Sequence, residues 1–550
     1  MFTENKKFLP IFEIILISLI LIFAYQFTYW VGQRGFFPFD QSIVFDGSYR
    51  VYSGQIPYKD FIFPFGPVTF WLQAAIFRFL GVSYASYIFG AAFVNVLVTG
   101  ASYILLRRLF PQFNLPAFLG SVITSIWFYP PFGTPWPEQT AFFFSFIALL
   151  GITEGLLNEE MFDKQRKGLL IAAGLATFGA FLSKQNAGAL IALVFSFLII
   201  FVNVANLRER ISNLTMFLIG WFVGLTAFAA WLHIRSDISA FIKYFFEIPA
   251  QEVGGERLPD QLLQWLQSLL VGNAPIVIKV VSLLSVLIAV IQLLLIKTKN
   301  QKDKRQVFSA LLAPALFIYH NAFLITANNQ VEISLPFIGV IAAIGLGLLL
   351  PKDTGGQSKE IDTAKKQPGF ASLTAVSILL IGMVAIVWMG IHVSVSRQVH
   401  DIFKNSTFPN RLENGKLSAI KWAVPMRIGN PIYAEDVNNL VNYLEMQGEN
   451  FFVFPDFTIL YGTLGVPSPQ PLLWFHRGLT YPKTYDPELD AWIVDALQRN
   501  QVRIIIIEEE SWFHTDDRLA DFPKLKSFIT NDFTYQQRIG NFLIYHIREN

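Results

Sequence analysis

The chain of 550 residues contains no cysteine and little charge. Without cysteine it can form no disulfide bond, no thiolate metal site and no cysteine nucleophile, which excludes three kinds of site together. Charged residues make up only 15% of the sequence, whereas soluble domains carry roughly a quarter. The formal net charge is +2, and no basic run is interleaved with aromatic residues. Nucleic acid is therefore not expected as a partner.

Long apolar runs take the place of charge. Hydrophobic residues make up 53% of the chain and the mean hydropathy is +0.45. Runs of bilayer-spanning length, about 20 residues each, predict an α-helical polytopic membrane protein with about eleven transmembrane helices. The predicted spans are 8–30, 85–107, 115–130, 139–157, 168–183, 187–205, 214–233, 275–296, 306–326, 332–350 and 370–393. The first is interpreted as a retained anchor, because no small-residue cleavage site follows it.

Lysine and arginine concentrate in alternate connections between the spans. Examples are "RR" at 107–108, "DKQRK" at 163–167 and "KTKNQKDKR" at 297–305. By the positive-inside rule this pattern favours a cytoplasmic N-terminus. An odd number of spans then predicts that the C-terminal segment lies outside the cytoplasm.

The composition changes after the last span. Residues 1–393 are predicted to form the transmembrane module and residues 394–550 a small extracytoplasmic α/β domain. Its predicted strands are 450–457, 502–510 and 542–549, and its predicted helices are 434–447 and 486–500. Residues 351–369 read as a flexible cytoplasmic linker by composition.

Three aspartates, Asp40, Asp46 and Asp60, lie among aromatic residues in the predicted first outer loop, residues 32–84. Two amphipathic stretches of this loop, 41–54 and 66–81, are predicted to form helices along the outer membrane surface. Asp40 follows Pro38 where the first helix begins, so its carboxylate could simply cap free backbone N–H groups. A catalytic role and this capping role are equally compatible with the pattern.

The same loop resembles the first-loop signature of the GT-C glycosyltransferases. Asp40 opens a helix, the pattern G-x-x-P-Y-x-D-F follows at residues 54–61, and "GP" stands at 66–67. The resemblance is nearest to the group that contains protein O-mannosyltransferases, aminoarabinose lipid A transferases and bacterial sugar transferases of the RgtA-to-D type. Where that family more often has "DE", this chain has Asp40 and Gln41.

Two later segments fit the same family. "YPPFGTPWPEQTAFFFSFIALL" (129–150) resembles its second outer loop, and the matching acid is Glu138. "AFLSKQNAGALIALVF" (180–195) resembles its K-Q turn, which is matched by Lys184 and Gln185. Alternatively, Glu138 could only complement a helix dipole, and Lys184 could be a snorkelling side chain at a helix end.

The resemblance implies an inverting glycosyltransferase. Such an enzyme would move a sugar from a polyprenyl-phosphate or dolichyl-phosphate donor to a hydroxyl or phosphate of a glycan, lipid or protein acceptor outside the cytoplasm. Inversion needs one general base, for which Asp40 is the candidate, and cations or donors for the leaving phosphate. The predicted substrate-binding residues are Asp60, Glu138, Lys184, Gln185, Arg50 and Tyr58. For Arg50 a solvated surface position is the stronger alternative.

No metal site is predicted. Asp40, Asp60, Glu138 and His320 could in principle hold a divalent cation, but no pair has a metal-ligand spacing such as H-x-x-x-H. Dependence on a divalent cofactor therefore stays open.

Two other functions compete with glycosyl transfer. A transporter or flippase would place ionisable residues near the bilayer midplane, and a scaffold would only present the C-terminal domain. Acids gathered in outer loops favour chemistry on a lipid-borne substrate at the membrane surface. The resemblance to bacterial members predicts the plasma membrane of a prokaryote.

Overall fold

The computed structural model describes residues 11–129, 132–202, 207–254, 275–298, 303–327, 335–350, 370–396, 403, 406–424, 427–428 and 430–549. The predicted linker 351–369 lies outside these residues.

The transmembrane module is a bundle of helices that coincide with all eleven predicted spans. Among the described residues, eight helices are long and apolar enough to cross a membrane. The predicted α-helical polytopic membrane fold is thus confirmed, and the chain is an integral membrane protein. The bundle helices are α1 (Ile11–Gly32), α4 (Tyr84–Leu109), α5 (Asn114–Trp127), α6 (Pro137–Leu157), α7 (Asp163–Ser183), α8 (Gln185–Val202), α9 (Leu207–Arg235), α12 (Ile276–Thr298), α13 (Lys304–Ala327), α14 (Ile338–Leu349) and α15 (Phe370–Ser396).

Shorter helices connect the bundle helices at one end. The first loop forms α2 and α3, and the segment after α9 forms two short helices around one π-helical turn. Their bounds are α2 (Pro38–Tyr52), α3 (Val68–Leu80), α10 (Ile238–Ile242), the π-helical turn (Lys243–Glu247) and α11 (Ile248–Gly254).

The C-terminal segment forms the predicted α/β domain around a four-stranded sheet. The strand order is β5-β6-β8-β7, in which β5 pairs parallel with β6 and the other pairs are antiparallel. The predicted strands and helices are present. The strands are β1 (Thr407–Arg411), β2 (Lys421–Val424), β3 (Arg427–Ile428), β4 (Asn430–Pro431), β5 (Phe451–Phe454), β6 (Ile504–Glu508), β7 (Phe533–Ile539) and β8 (Phe542–Ile547). The helices are α16 (Ala434–Gln447), α17 (Ile459–Leu464), α18 (Pro487–Arg499), α19 (Thr515–Ala520) and α20 (Pro523–Asp532).

Five strands were not expected from the sequence: the short strands β1 to β4, and β7 in the four-stranded sheet. β7 has the sequence "FTYQQRI" and its middle residues are exposed. It lies at the edge of the sheet and has β8 as its one strand partner, so most of its residues need no apolar side chain. An edge strand of this kind carries no alternating apolar signal.

The prediction that the first loop's helices lie along the membrane surface is wrong for α2. All residues from Pro38 to Arg50 except Asp40 are buried by protein. The C-terminal domain covers the helix, and α17 packs directly against it. At Gly462 of α17 an added Cβ atom would lie 2.8 Å from the ring of Phe45 on α2. Helix α2 is therefore enclosed between the bundle and the domain.

Backbone hydrogen bonds join the first loop to the C-terminal domain at several places. The Ile62 N–H donates to the carbonyl of Pro471 at 2.9 Å. The Lys421 N–H donates to the carbonyl of Gln33 at 2.7 Å, and the Gly35 N–H donates back to Lys421 at 2.8 Å. These bonds and a shared hydrophobic core join the loop to the domain.

An ion pair is buried inside this shared core. Arg50 Nε lies 2.9 Å from Asp46 Oδ2, and both side chains are fully buried. Arg50 also donates to the carbonyl of Gln470 at 2.6 Å, and Ser468 Oγ donates to Asp46 Oδ1 at 2.5 Å. The pair on α2 is thus completed by groups of the C-terminal domain.

Replacing Arg50 by methionine should strongly destabilise the protein. The change leaves the Asp46 carboxylate buried without its counter-ion, which costs about 3–5 kcal/mol. The half-exposed pair of Arg503 and Glu449 in the same domain provides a control, since Arg503→Met should cost about 1 kcal/mol or less. Thermal unfolding of the purified protein measures both. Equal shifts for the two variants would contradict a structural role for the buried pair.

Candidate functional site

The first turn of α2 leaves one carboxylate without a partner. Gln41 Oε1 accepts the Phe37 N–H at 2.6 Å, and Gln41 Nε2 donates to the Tyr84 hydroxyl at 3.1 Å. Gln41 therefore supplies the cap that Asp40 could have supplied. Asp40 makes no hydrogen bond or ion pair with any residue that the structure describes. Gln41 thus has a structural task here.

Asp40 is partly exposed but lies among protein atoms. Burial raises the pKa of its carboxyl from 3.8 to about 7, and the negative charges of Glu138 and Asp456 contribute to the increase. A carboxyl group with this pKa can take up and release a proton near neutral pH. Such shifts are typical of functional sites.

Glu138 and Lys184 form an ion pair close to Asp40. Lys184 Nζ lies 3.0 Å from Glu138 Oε1. Glu138 is buried in the first turn of α6, where a carboxylate complements the helix dipole. Lys184 lies between α7 and α8, and a quarter of its side chain is exposed. An ammonium group has three donors, so this one can contact an incoming anion without leaving Glu138.

The helix junction that carries Lys184 is fixed to the first loop. Gln185 Nε2 donates to the carbonyl of Pro64 at 3.0 Å and to that of Phe245 at 2.9 Å. At Gly66 the two backbones approach so closely that an added Cβ atom would lie 1.6 Å from the carbonyl oxygen of Leu182. The "GP" and "KQ" motifs therefore meet, and together they set the distance between the loop and Lys184.

Three other predicted site residues build the first loop. Arg50 lies ten residues after Asp40 on the same helix, about 15 Å along its axis, and is engaged by Asp46. Tyr58 is buried and stacks on Phe63 with ring centroids 4.6 Å apart. The Asp60 carboxylate is exposed and accepts a backbone N–H within its own turn, at 2.7 Å. The structure does not place these three side chains in the Asp40 cluster.

The C-terminal domain adds a second ion pair beside Asp40. Arg518 donates to both carboxylate oxygens of Asp456, at 2.8 and 2.7 Å, and both side chains are buried. The guanidinium carbon lies 6.0 Å from the ring centroid of Phe39. One acid of each pair, Glu138 of the bundle and Asp456 of the domain, is near enough to Asp40 for its charge to raise the pKa of that carboxyl. Sequence reasoning missed the second pair, because its members stand 62 residues apart and belong to no motif.

A third acid supports the Asp456–Arg518 pair. Glu508 accepts the backbone N–H groups of Asp456 and Phe457, at 2.5 and 2.9 Å. Burial and the charge of Asp456 raise the pKa of Glu508 to about 8. The two backbone N–H groups that Glu508 accepts fix the start of the segment that carries Asp456.

Within the described part of the chain, no three acidic or histidine side chains are grouped so that they could hold a metal ion. His320, one of the residues considered for such a site, lies inside bundle helix α13.

Comparison with solved structures shows which fold this is. The crystal structure of ArnT from Cupriavidus metallidurans bound to undecaprenyl phosphate superposes with a TM-score of 0.54 at 13% identity, over 98% of each chain. The cryo-electron microscopy structure of the arabinofuranosyltransferase AftD from mycobacteria superposes with a TM-score of 0.50 at 11% identity. The match covers 97% of this chain and 40% of AftD. No family model and no curated protein sequence matches the chain.

The predicted resemblance to GT-C glycosyltransferases is therefore confirmed at the level of the fold. Identity this low shows the fold alone, and a fold by itself does not define an activity.

Gly66→Ala should disturb the site through the backbone. The new methyl group would overlap the Leu182 carbonyl, and neither backbone can move without shifting the Lys184 junction. We expect a loss of about 1–3 kcal/mol or more. Gly168 lies on α7, the helix that also contains Leu182, and no atom lies near the position of an added Cβ there. Gly168→Ala should therefore be neutral or slightly stabilising. Thermal unfolding compares the two variants, and tolerance of Gly66→Ala would disprove the close contact.

Proposed function

We propose that this chain is an inverting glycosyltransferase that moves a sugar from a polyprenyl-phosphate or dolichyl-phosphate donor to an acceptor outside the cytoplasm. The observation that carries the proposal is an unpaired, partly exposed Asp40 with a pKa near neutrality, beside an ion pair that includes a lysine. The fold shared with ArnT, which was crystallised with undecaprenyl phosphate, supports a lipid-phosphate donor.

In the proposed reaction Asp40 is the general base. Its carboxylate takes the proton of an acceptor hydroxyl as the hydroxyl oxygen attacks the anomeric carbon of the sugar. The bond from that carbon to the phosphate oxygen breaks on the opposite face, and its electron pair stays with the leaving lipid phosphate. Attack opposite the leaving group inverts the anomeric centre.

Lys184 is proposed to stabilise the leaving phosphate, which gains negative charge as the bond breaks. Glu138 holds the Lys184 ammonium in place at 3.0 Å and is shielded from the substrate by its burial. Gln185, Arg50, Tyr58 and Asp60 are proposed to act on the substrate indirectly, since their polar groups contact the loop and the helix junction.

Transport across the membrane has less support. A cavity of about 1000 Å³ opens at the other end of α4, but its charges are largely paired with each other. Arg108 pairs with Glu154 at 3.1 Å and Lys304 pairs with Glu159 at 2.9 Å. Helix α4 has 26 residues, so about 39 Å separate this cavity from the α2 end of the bundle. We favour the Asp40 site because its carboxylate has no hydrogen-bond or ion-pair partner among the described residues and its pKa is raised to about 7.

The charge distribution of the connections supports a cytoplasmic N-terminus. On that basis the first loop and the C-terminal domain face outward, and the active site opens at the outer surface of the membrane. A prokaryotic plasma membrane is the proposed location.

Asp40→Asn should abolish most of the transfer. Asparagine keeps the size and hydrogen-bonding capacity of the side chain but removes the basic carboxylate, so a loss of about 10²-fold or more is expected. Membranes that carry the wild type or the variant are incubated with radiolabelled polyprenyl-phosphate sugars and an extract of acceptors. Equal transfer by equal amounts of both proteins would disprove the assignment of the base.

Two further readouts separate lost chemistry from lost folding. Because the base must be deprotonated, wild-type transfer should rise with pH through a midpoint of about 7. The raised pKa also means that ionised Asp40 destabilises the fold above its unfolded pKa of 3.8, increasingly up to about pH 7. Asp40→Asn should therefore be at least as stable as the wild type at pH 8, while showing no such advantage at pH 4.

A further inference from the structure

Two large aromatic side chains stand exposed beside the Asp40 site. Trp512 and Phe513 follow β6 and keep 38% and 40% of their surface accessible. Phe513 meets Phe39 and His476 edge-on, with ring centroids 5.0 and 4.9 Å apart. Single exposed apolar residues need no explanation, but adjacent ones at a functional site indicate a binding surface. We call Trp512, Phe513 and His476 the aromatic platform.

The loop that carries the platform is held in place. Ser511 Oγ accepts from Arg518 at 2.6 Å and lies within hydrogen-bond distance of Thr515 Oγ1, at 2.9 Å. The Thr515 hydroxyl donates its proton to the Glu508 carbonyl at 2.6 Å. His514 has a φ of +55°, a left-handed conformation that costs a residue other than glycine free energy. Backbone strain of this kind is concentrated at ligand sites. The two aromatic rings are therefore presented by a fixed loop.

The platform packs against the helical turn that carries the proposed base. Trp512 meets Phe37 edge-on at 5.4 Å, and Phe513 meets Phe39. Phe37 is the N-cap of α2, and Phe39 directly precedes Asp40. A ligand on the platform would thus lie beside the helical turn that carries Asp40.

The charge around the platform limits what can bind. Residues 508–517 read "EEESWFHTDD". Glu508 is buried and Glu509 is paired with Arg538, so Glu510, Asp516 and Asp517 carry the open negative charge of this loop. Arg477, next to His476, is paired with Asp521 at 3.0 Å. Asp516 and Asp517 are exposed. Such a loop repels phosphate groups and the anionic headgroups of a membrane surface, so neither a phosphorylated acceptor nor an inserted membrane contact suits it.

We propose that the aromatic platform binds a sugar ring of a neutral saccharide acceptor. The C–H groups on the less polar face of a sugar ring are attracted to the negative face of an aromatic ring. His476, Glu510 and His514 at the rim supply partners for the ring hydroxyls. The proposal rests on the proposed glycosyl transfer and narrows its acceptor to a hydroxyl of a neutral glycan.

The test is binding of saccharides to the full-length protein in nanodiscs of neutral lipid, without donor. Saturation-transfer NMR is recorded with maltohexaose, cellohexaose, mannohexaose and xylohexaose as neutral probes, and with mannose 6-phosphate and farnesyl phosphate as charged ones. At least one neutral probe should bind at millimolar concentration. Trp512→Ala/Phe513→Ala should weaken that binding about tenfold or more, since a stacked ring contributes that much. Tyr535→Ala is the control, because Tyr535 is 50% exposed on edge strand β7 and should bind like the wild type.

Several results would overturn the proposal. They are binding to no neutral probe, binding that the double variant leaves intact, and preferential binding of mannose 6-phosphate or farnesyl phosphate. Asp40→Asn separates this proposal from the proposed reaction, because it should lose transfer and still bind the saccharide. If Asp40→Asn kept transfer while the double variant lost binding, the platform would stand and the assignment of the base would fail.

Discussion

The structure depends on one hydrophobic core that the first loop shares with the C-terminal domain. Helix α2 is buried in that core on nearly all sides, and the Asp46–Arg50 pair closes it with two groups from the domain. A charge pair buried this deeply requires all its partners, because leaving one charge unpaired in the core is costly. The domain therefore cannot shift on the bundle without breaking the pair, and the start of α2 stays fixed.

This fixed helix explains why Asp40 can remain unpaired. The nearby acids Glu138 and Asp456 each have their own basic partner, and Gln41 provides the helix cap. Burial and the negative charges of Glu138 and Asp456 therefore raise the pKa of the Asp40 carboxyl. An unpaired carboxylate in this environment lowers the stability of the fold. Functional sites commonly carry such a local loss of stability.

The sequence predicted the scaffold well where the signal is local. Each apolar run became a helix, and α16 was predicted with the bounds observed. Burial of α2 was not predictable, because the domain that covers it follows about 400 residues later in the chain. The Asp456–Arg518 pair was not predicted either, because its two members stand 62 residues apart and belong to no motif. Motif resemblance did find Glu138, Lys184 and Gln185, and the structure brings these residues to one junction beside Asp40. It found Tyr58 and Asp60 as well, and the need for a cation at the phosphate suggested Arg50; the contacts of these three residues in the structure build the loop.

The most direct test of the account is an experimental structure of the full chain with a bound polyprenyl-phosphate sugar. The account predicts the phosphate within hydrogen-bond distance of Lys184 Nζ and the anomeric carbon facing Asp40, with space for an acceptor hydroxyl between them. A phosphate bound at the opposite end of the bundle, in the cavity beside Arg108 and Lys304, or a sugar turned away from Asp40, would contradict it.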